Sequence, residues 1–299
     1  MRFSIEICPW CFNLKDIETF APSPAETLQS VEAVYAAHFP QHRVPWLRPL
    51  FRRTEELFAG RYPHYQACDI GFHHFGHTCE VTAAVARIMD GNLRRPRRPL
   101  RFHARDYDMV IAAALLHDIG YLKKTGDKTG TGAKFTPIHV ARGSDFAGRF
   151  LQEFNLSPDD IEVVQRLILW TAVNVDYEEL QSASDVERHL GGVLATGDLL
   201  GQMAAPDYPQ RLEALYVEFS EAARNVTGNA AQSYTYATAA DLQKKTRTFY
   251  EHYVMPILEH SFRGIFHDLV HHFPDGRNHY LLRIEENLSI LDGAVPAER

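Results

Sequence analysis

The sequence lacks the features of a membrane protein or a secreted protein. No uninterrupted apolar stretch reaches the roughly 18 residues that a membrane-spanning helix needs. The first eight residues include an acidic side chain and no long apolar region, so they do not resemble a secretory signal. We therefore expect a cytoplasmic protein with no membrane partner, in which the four cysteines are reduced thiols.

Excess positive charge is also lacking, because 31 basic residues stand against 38 acidic ones and leave a net charge of −7. This balance argues against duplex nucleic acid as a partner. The arginine-rich segment 94–101 is a local exception, and it fits either a solvated loop or a contact for an anionic substrate tail or RNA. Cys8 and Cys11 form a Cys-x-x-Cys pair that fits an exposed turn, a redox site or a structural zinc site.

Runs of alternating β-branched residues are missing too, and apolar positions instead recur at helical spacing. The sequence predicts an all-α fold, with helices over about residues 24–38, 45–59, 76–90, 107–118, 138–153, 158–172, 185–204, 208–225, 239–272 and 278–291. We divide the chain into an N-terminal helical extension at 1–60, a core at 61–205 and a C-terminal helical segment at 206–299. The C-terminal helices are candidates for packing on the core, for covering a pocket or for forming a homodimer interface.

The most informative feature present is the pair His117 and Asp118, which ends an almost entirely apolar run from Met109 to Leu116. An ionised carboxylate removed from water costs roughly several kcal/mol unless it is compensated. A divalent metal compensates both residues, because imidazole nitrogen and carboxylate oxygen are among its ordinary ligands. The alternative is a charged last turn of a helix that faces water.

Two further segments place ligand-type residues on apolar helix faces. His77 shares a predicted face with apolar residues from Val81 onward, and His73 lies one turn earlier. Asp198 lies on the apolar stripe of a later helix, where an unpaired carboxylate is costly. The alternatives are core histidines with satisfied hydrogen bonds, and a buried salt bridge or helix cap at the aspartate.

The order of His77, then His117 and Asp118, then Asp198 resembles the HD-domain superfamily of metal-dependent phosphohydrolases, over roughly residues 60–205. In that family a first histidine, a His-Asp doublet and a late aspartate bind a metal inside a helical bundle. The resemblance implies an HD-domain helical bundle with these four residues as metal ligands. It also implies a catalytic role for Asp118.

The segment 72–77, which reads Phe-His-His-Phe-Gly-His, is similar to the Tyr-His-Asn-x-x-His segment of cyclic-nucleotide phosphodiesterases. In those enzymes the second histidine binds metal and the first protonates the leaving oxygen. The likeness implies that His73 is a general acid, a role that suits histidine because its ordinary pKa lies near neutrality. His74 replaces the asparagine, and no late Leu-Gln segment is present, so the likeness concerns chemistry more than substrate.

Some HD proteins bind a second metal through two further histidines. His139 is one candidate, because it shares a predicted helix face with Phe146 and Phe150. The region in which the second histidine is expected, residues 168–174, contains none. The sequence therefore leaves open a single ion or a second ion held by Asp118, His139 and waters.

Candidate phosphate-binding residues lie near the doublet. Residues 123–134 hold four lysines and three glycines, without the spacing of a nucleotide triphosphatase loop. Lys123 and Lys124 are candidates to bind the substrate, and a mobile solvated loop is the alternative. Arg142 and Gln202 are further candidates, each on a helix face shared with a predicted ligand.

Together these features predict a metal-dependent phosphohydrolase that cuts a phosphoester or phosphodiester of a small metabolite or nucleotide. A divalent ion lowers the pKa of its bound water and polarises a phosphoryl oxygen. The ion is Fe, Mn, Zn, Co, Ni or Mg, since His/Asp sites accept all of these. The alternatives are an HD-type di-iron oxygenase and a non-catalytic metal- or nucleotide-binding sensor, which needs no general acid at His73.

Overall fold

The protein is all-α throughout the parts of the chain that the computed structural model describes, which are residues 19–97, 100–173, 175–226 and 234–293. These ranges contain eleven α-helices and no β-strand, which confirms the predicted fold class. None of these helices is both long enough and apolar enough to cross a membrane. Cys8 and Cys11 lie outside the described residues. The helices are α1 (Pro24–His38), α2 (Leu47–Phe58), α3 (Phe75–Arg94), α4 (Ala104–Leu116), α5 (His139–Phe150), α6 (Pro158–Ile168), α7 (Asp185–Met203), α8 (Tyr208–Arg224), α9 (Ala239–Phe249), α10 (Leu269–His272) and α11 (His279–Leu291).

Local sequence signals decide where several helices begin. Ser23 accepts a hydrogen bond from the backbone N–H of Glu26, and the carboxylate of Glu26 accepts one from the backbone N–H of Ser23. This reciprocal cap stands directly ahead of Pro24 at the first position of α1. The hydroxyl of Ser157 likewise accepts from the backbone N–H of Asp160 at the start of α6. Both starts agree with the predicted boundaries.

The pair α3 and α7 forms the centre of the bundle, and both helices are buried along most of their length. They approach closely because Gly201 of α7 lies against the backbone of α3. A Cβ atom at Gly201 would lie 3.2 Å from the carbonyl oxygen of Glu80, and one at Gly197 would lie 2.6 Å from a methyl group of Val85. The two glycines therefore allow the helices to pack almost backbone to backbone.

The N-terminal helices belong to the same core. Val31 of α1 and Leu50 of α2 are part of one hydrophobic cluster with residues of α3 and α4. Tyr35 donates a 2.6 Å hydrogen bond to one oxygen of Asp108, and His42 contacts the other oxygen at 2.8 Å. The predicted N-terminal extension is thus tied to α4 by both apolar packing and buried polar contacts.

The C-terminal segment differs from the single long helix that the sequence predicts there. α9 continues into two π-helical stretches, Tyr250–Val254 and Ile257–Ser261, which flank Pro256. Proline cannot donate a backbone hydrogen bond, so the regular helical ladder is interrupted at this point. Arg263 and Gly264 then adopt left-handed backbone angles, with φ of 55° and 66°, and end the helical run. The prediction of one helix was wrong because it did not weigh these two interruptions.

Candidate metal centre and adjoining cavity

His117 and Asp118 lie where α4 gives way to a short 3₁₀ turn, Ile119–Tyr121. The pair does not face water, since His117 is 0 % exposed and Asp118 is 3 % exposed. Nδ1 of His117 lies 2.8 Å from the carbonyl oxygen of Ala114. This nitrogen therefore donates its hydrogen to the carbonyl, and Nε2 retains its lone pair.

His77 lies in the first turn of α3 and is 1 % exposed. The imidazole of His74 is the N-cap of this helix, because its Nδ1 accepts a 3.3 Å hydrogen bond from the backbone N–H of His77. His73 precedes the helix instead of sharing its first turn, and it reaches the same region from the loop. The segment 72–77 therefore provides a cap and two inward-facing histidines.

Asp198 of α7 completes a group of four side chains, and we call His77, His117, Asp118 and Asp198 the four-donor cluster. Oδ1 of Asp198 lies 3.2 Å from Nε2 of His77 and 3.8 Å from Nε2 of His117. Oδ2 of Asp118 lies 3.3 Å from both nitrogens, which are 3.4 Å apart. Ligands about 2.1 Å from one ion lie about 3 Å apart when their bonds are perpendicular, so these spacings fit a common ion.

The hydrogen bonding of the cluster also favours a cation at its centre. The lone pair of His117 faces carboxylate oxygens, and Oδ2 of Asp118 accepts no hydrogen bond from any described residue. Burial opposes protonation of His77, but the carboxylates of Asp118 and Asp198 raise its pKa to about 10. The cluster therefore attracts positive charge, and two histidines with two carboxylates are a donor set that fits a divalent metal.

His139 begins α5 and faces the other oxygen of Asp118, with 3.7 Å between its Nε2 and Oδ1. Its Nδ1 lies 2.7 Å from the carbonyl oxygen of Thr136 and donates to it, so Nε2 carries the lone pair. Burial lowers the pKa of His139, which keeps the ring neutral. The start of α5 can approach the 3₁₀ turn after Asp118 because residue 120 is glycine, where a Cβ atom would lie 1.8 Å from the carbonyl oxygen of His139. His139 thus contacts Asp118 on the side away from the four-donor cluster.

His73 pairs with Glu218 of α8, a residue that the sequence analysis did not single out. Nδ1 of His73 lies 2.6 Å from Oε2 of Glu218, and the other carboxylate oxygen accepts a 2.6 Å hydrogen bond from the backbone N–H of Phe72. The ring of Tyr121 stacks against His73 and His139, with centroid distances of 4.6 and 4.2 Å. Since Nδ1 is bound to a carboxylate, Nε2 is the nitrogen of His73 available for proton transfer.

These side chains line one end of a cavity of about 370 Å³, within the range of about 300–1,000 Å³ that is usual for small-molecule sites. His73, Asp118, His139 and Asp198 form part of the wall. The rest is mainly apolar and aromatic, and it includes Trp170, Tyr177, Tyr208, Phe219, Tyr236 and Phe262. Helices α8 and α9 supply one side, so the C-terminal segment covers the pocket, which is one of the three roles predicted for it.

The two lysines predicted to bind substrate lie outside the lining of this cavity. Lys123 is buried, and its ammonium binds the carboxylate of Asp69 at 2.9 Å and the carbonyl oxygen of Gly130 at 2.7 Å. Lys124 is exposed to solvent. Lys123 therefore holds the following loop to the body of the protein instead of facing the cavity.

Arg142 and Gln202 are placed differently from each other. Arg142 donates hydrogen bonds to the carbonyl oxygens of Gly120 and Leu122 at 2.9 and 3.0 Å, and it does not line the cavity. Gln202 does line the cavity, and its amide donates a 3.2 Å hydrogen bond to the backbone carbonyl of Asp198. Of the four predicted substrate-binding residues, only Gln202 lines the cavity.

Two further residues that the sequence analysis missed lie behind His77. Arg211 of α8 binds Glu80 of α3 through two hydrogen bonds of 2.6 and 2.9 Å. Oε2 of Glu80 lies 3.9 Å from Nδ1 of His77, which has no hydrogen-bond partner among the described residues. This ion pair joins α8 to the helix that carries the first donor of the cluster.

Glu218 carries the same sequence signal that marked Asp198. It lies on a helical stripe with Ala214, Leu215 and Ala222, where a carboxylate without a partner is costly. The signal could have identified Glu218 as a buried acid. It could not have identified its partner, because His73 lies 145 positions away in the sequence.

A protein-family model described as Npun_R2479-like matches residues 126–267, which is less than half of the chain. The matched region includes His139, Asp198 and Glu218, and it begins after His77 and His117. A search of the curated proteins found no match. The similarity therefore concerns the second half of the site and carries no statement about the reaction.

Proposed function

We propose that the protein is an HD-type metal-dependent phosphohydrolase that cleaves a phosphoester or phosphodiester of a small molecule. The observation that carries this proposal is the convergence of the four-donor cluster and the His73–Glu218 pair on one cavity. The first fits a divalent ion, and the second fits a proton donor. The sequence resemblance to the HD-domain superfamily supports the same reaction. A cytoplasmic location and a homodimer through the C-terminal helices stay predictions.

The cluster residues would hold the ion, which when bound supplies an activated water and polarises a phosphoryl oxygen. His117 is oriented for this task by its hydrogen bond to the carbonyl oxygen of Ala114. Asp118 and Asp198 together carry two negative charges, which match the charge of one divalent ion. Asp118 is buried and the side chain of Asp198 is 17 % exposed, which limits competition from water for the same positions.

His73 would act on the leaving group. Its protonated Nε2 donates a proton to the departing oxygen, which avoids the release of an alkoxide. The carboxylate of Glu218 holds Nδ1 and stabilises the charged ring before the transfer. Stacking against Tyr121 restricts rotation of the ring, so the proton stays directed toward one end of the cavity.

The decisive experiment combines elemental analysis with a substrate screen. Freshly purified protein is analysed for transition metals and magnesium, and the same sample is then assayed for phosphate release from nucleotides and phosphodiesters. A phosphomonoesterase added after the reaction releases phosphate from diester products. We expect about one divalent ion or more per chain and turnover that a chelator removes. Protein that binds no metal under any loading condition would exclude the proposal.

A di-iron oxygenase is the second candidate, and one observation favours it. Oδ1 of Asp118 faces His139 while Oδ2 faces His77 and His117, so Asp118 and His139 would be the residues available to hold a second ion. The two candidates differ in their need for oxygen. Hydrolysis proceeds equally well under anaerobic conditions, whereas an oxygenase consumes O₂ in proportion to product and stops without it.

A further inference from the structure

We propose that the substrate is a singly charged phosphodiester that carries an uncharged, ring-containing apolar group. The ester part of this inference rests on the proposed function. The charge and the apolar group rest on the cavity itself, so they can be tested by binding without any reaction.

The charges around the cavity limit the charge of the substrate. Lys245 is the one lysine or arginine in the lining formed by the described residues. Its ammonium binds the carboxylate of Asp241 at 2.9 Å and lies 5.4 Å from the ring centre of Tyr236. A lysine already paired in this way offers little attraction to a distant phosphate.

The metal end of the cavity offers no surplus positive charge either. With one divalent ion bound, the carboxylates of Asp118 and Asp198 would balance its charge, and His73 is paired with Glu218. A polyphosphate or a phosphomonoester dianion would therefore bring uncompensated negative charge into a largely apolar site, which is costly. A phosphodiester carries a single negative charge and avoids most of this cost.

The apolar part of the lining favours an apolar ring. Leu212, Leu215 and Phe219 of α8 line the cavity together with Leu242 of α9 and Trp170. Aromatic and branched side chains remove the surface of a bound ring from water and pack against it. Such a wall gains most from a substrate group that has few polar atoms.

Three polar side chains in the lining are engaged with backbone carbonyl oxygens three or four residues away. The hydroxyl of Thr246 donates to the carbonyl oxygen of Leu242 at 3.0 Å, and that of Thr171 donates to Ile168 at 2.9 Å. The amide of Gln202 donates to the carbonyl of Asp198. These three donors are therefore not free for the edge of a nucleobase or the hydroxyl groups of a sugar, and the thymidine ester tests whether the tyrosine hydroxyls of the lining take their place.

The first test compares three phosphodiesters that share a 4-nitrophenyl leaving group and differ in the other substituent: methyl, phenyl and thymidine-5′-yl. We expect kcat/KM for the phenyl ester to exceed that for the methyl ester by about 30-fold, because the added ring is buried. The thymidine ester and ATP should be poorer than the phenyl ester. Equal rates for methyl and phenyl, or a preference for thymidine or ATP, would overturn the inference while leaving the hydrolytic function intact.

The second test measures binding without turnover, by calorimetry of the Mn²⁺-loaded protein with diphenylphosphinate and dimethylphosphinate. These are stable, singly charged analogues of a diester. We expect diphenylphosphinate to bind at least about tenfold more tightly. This preference in a protein that cleaves none of the esters would reject the proposed hydrolysis but support the ligand class. Equal affinity for the two phosphinates would reject the ligand class.

Two matched variants of α8 connect the preference to the cavity. Leu215 lines it, whereas Val217, two positions along, is 60 % exposed. Leu215→Asp should weaken diphenylphosphinate at least about tenfold and dimethylphosphinate less than about twofold, while Val217→Asp should change neither. Leu215→Trp fills the same space and replaces the aspartate variant if that variant does not fold. Unchanged diphenylphosphinate affinity in a folded Leu215 variant would remove the cavity from the argument.

Discussion

Two clusters of histidine and aspartate, compared within the described residues, differ in how their hydrogen bonds are satisfied. In the first, around Asp90 of α3, Oδ1 lies 2.7 Å from Nε2 of His38. Oδ2 lies 2.7 Å from Nδ1 of His272 and accepts a 2.6 Å hydrogen bond from Arg94. Each oxygen of this carboxylate has a donor, and the cluster ties α1 and α10 to α3.

The four-donor cluster contains the same residue types, but its hydrogen-bond acceptors are not all matched by hydrogen-bond donors. Oδ2 of Asp118 accepts no hydrogen bond from the described residues, although it lies 3.3 Å from the Nε2 atoms of His77 and His117. Acceptors face acceptors there until a proton or a metal lies between them. The difference teaches that histidine and aspartate in proximity do not by themselves indicate a metal site, and that buried acceptors without hydrogen-bond donors are the feature that favours one.

The largest expected effect separates the two clusters directly. Asp118→Asn should abolish metal binding and lower turnover by about 10³-fold or more, because it removes a ligand and half of the charge that balances the ion. Asp90→Asn should retain the metal, as measured by elemental analysis of folded protein. Equal metal loss in both folded variants would show that the two clusters do not differ in kind.

Replacement of the proposed general acid should affect turnover without affecting metal. His73→Ala is expected to lower kcat by about 100- to 1,000-fold, since it removes the proton donor to the leaving oxygen. Glu218→Gln should cause a smaller loss, because the amide can still contact Nδ1 of His73 but lacks the charge of the carboxylate. Full activity of metal-loaded His73→Ala would reject the role of His73 as general acid. It would remove the feature that distinguishes the enzyme from a non-catalytic metal- or nucleotide-binding sensor.

Metal binding to the four-donor cluster should depend on pH, and the Asp90 cluster offers no parallel. Burial opposes protonation of His77, but the carboxylates of Asp118 and Asp198 raise its pKa to about 10 in the metal-free protein. A proton must therefore leave His77 when metal binds. Apparent affinity should therefore rise about tenfold per pH unit up to that pKa. Calorimetry at pH 8 in buffers of different ionisation enthalpy measures the released protons, and a release of none contradicts the assignment.

Removal of Asp90 should lower stability instead of activity. Asp90→Ala leaves the half-buried rings of His38 and His272 without their acceptor and should cost about 1–3 kcal/mol in urea unfolding. Burial opposes ionisation of Asp90, but hydrogen bonds from His272, His38 and Arg94 lower its pKa below the ordinary 3.8. Its contribution is thus present above pH 3.8 and is lost as the pH falls toward the lowered pKa. An unchanged unfolding free energy at pH 7 would contradict this reading.

The smallest effect is expected at Lys124, which the sequence nominated for phosphate binding. Its side chain is exposed and does not line the cavity, so Lys124→Ala should change kcat/KM by less than about twofold. Lys123→Ala should lower stability because Asp69 loses its partner, again with little change in KM. A large rise in KM for Lys124→Ala would place a phosphate outside the cavity.

Much of the site was predictable because helical periodicity is a local property. The apolar stripes around His77 and Asp198 indicate inward-facing side chains whatever the rest of the chain does. The run that ends at His117 indicates burial in the same way, and the structure brings these residues within 3.2–3.8 Å of one another. The serine caps before Pro24 and Pro158 similarly depend only on the neighbouring residues.

The partners of these side chains were not predictable in the same way. Lys123 and Arg142 are near the doublet in sequence, yet Asp69 and the carbonyl oxygens of Gly120 and Leu122 engage them. Periodicity indicates which face of a helix is buried, but not which helix packs on it. A basic side chain near a site therefore counts as available only when its contacts are known.

The sequence by itself determined the helical fold class, several helix boundaries and the inward positions of the four donors, because each depends on neighbours within a few residues. The tertiary structure alone decided that Glu218 meets His73, that α8 and α9 wall the cavity, and that the wall is apolar. Those features arise from packing between segments far apart in the chain, and local periodicity carries no information about such pairings.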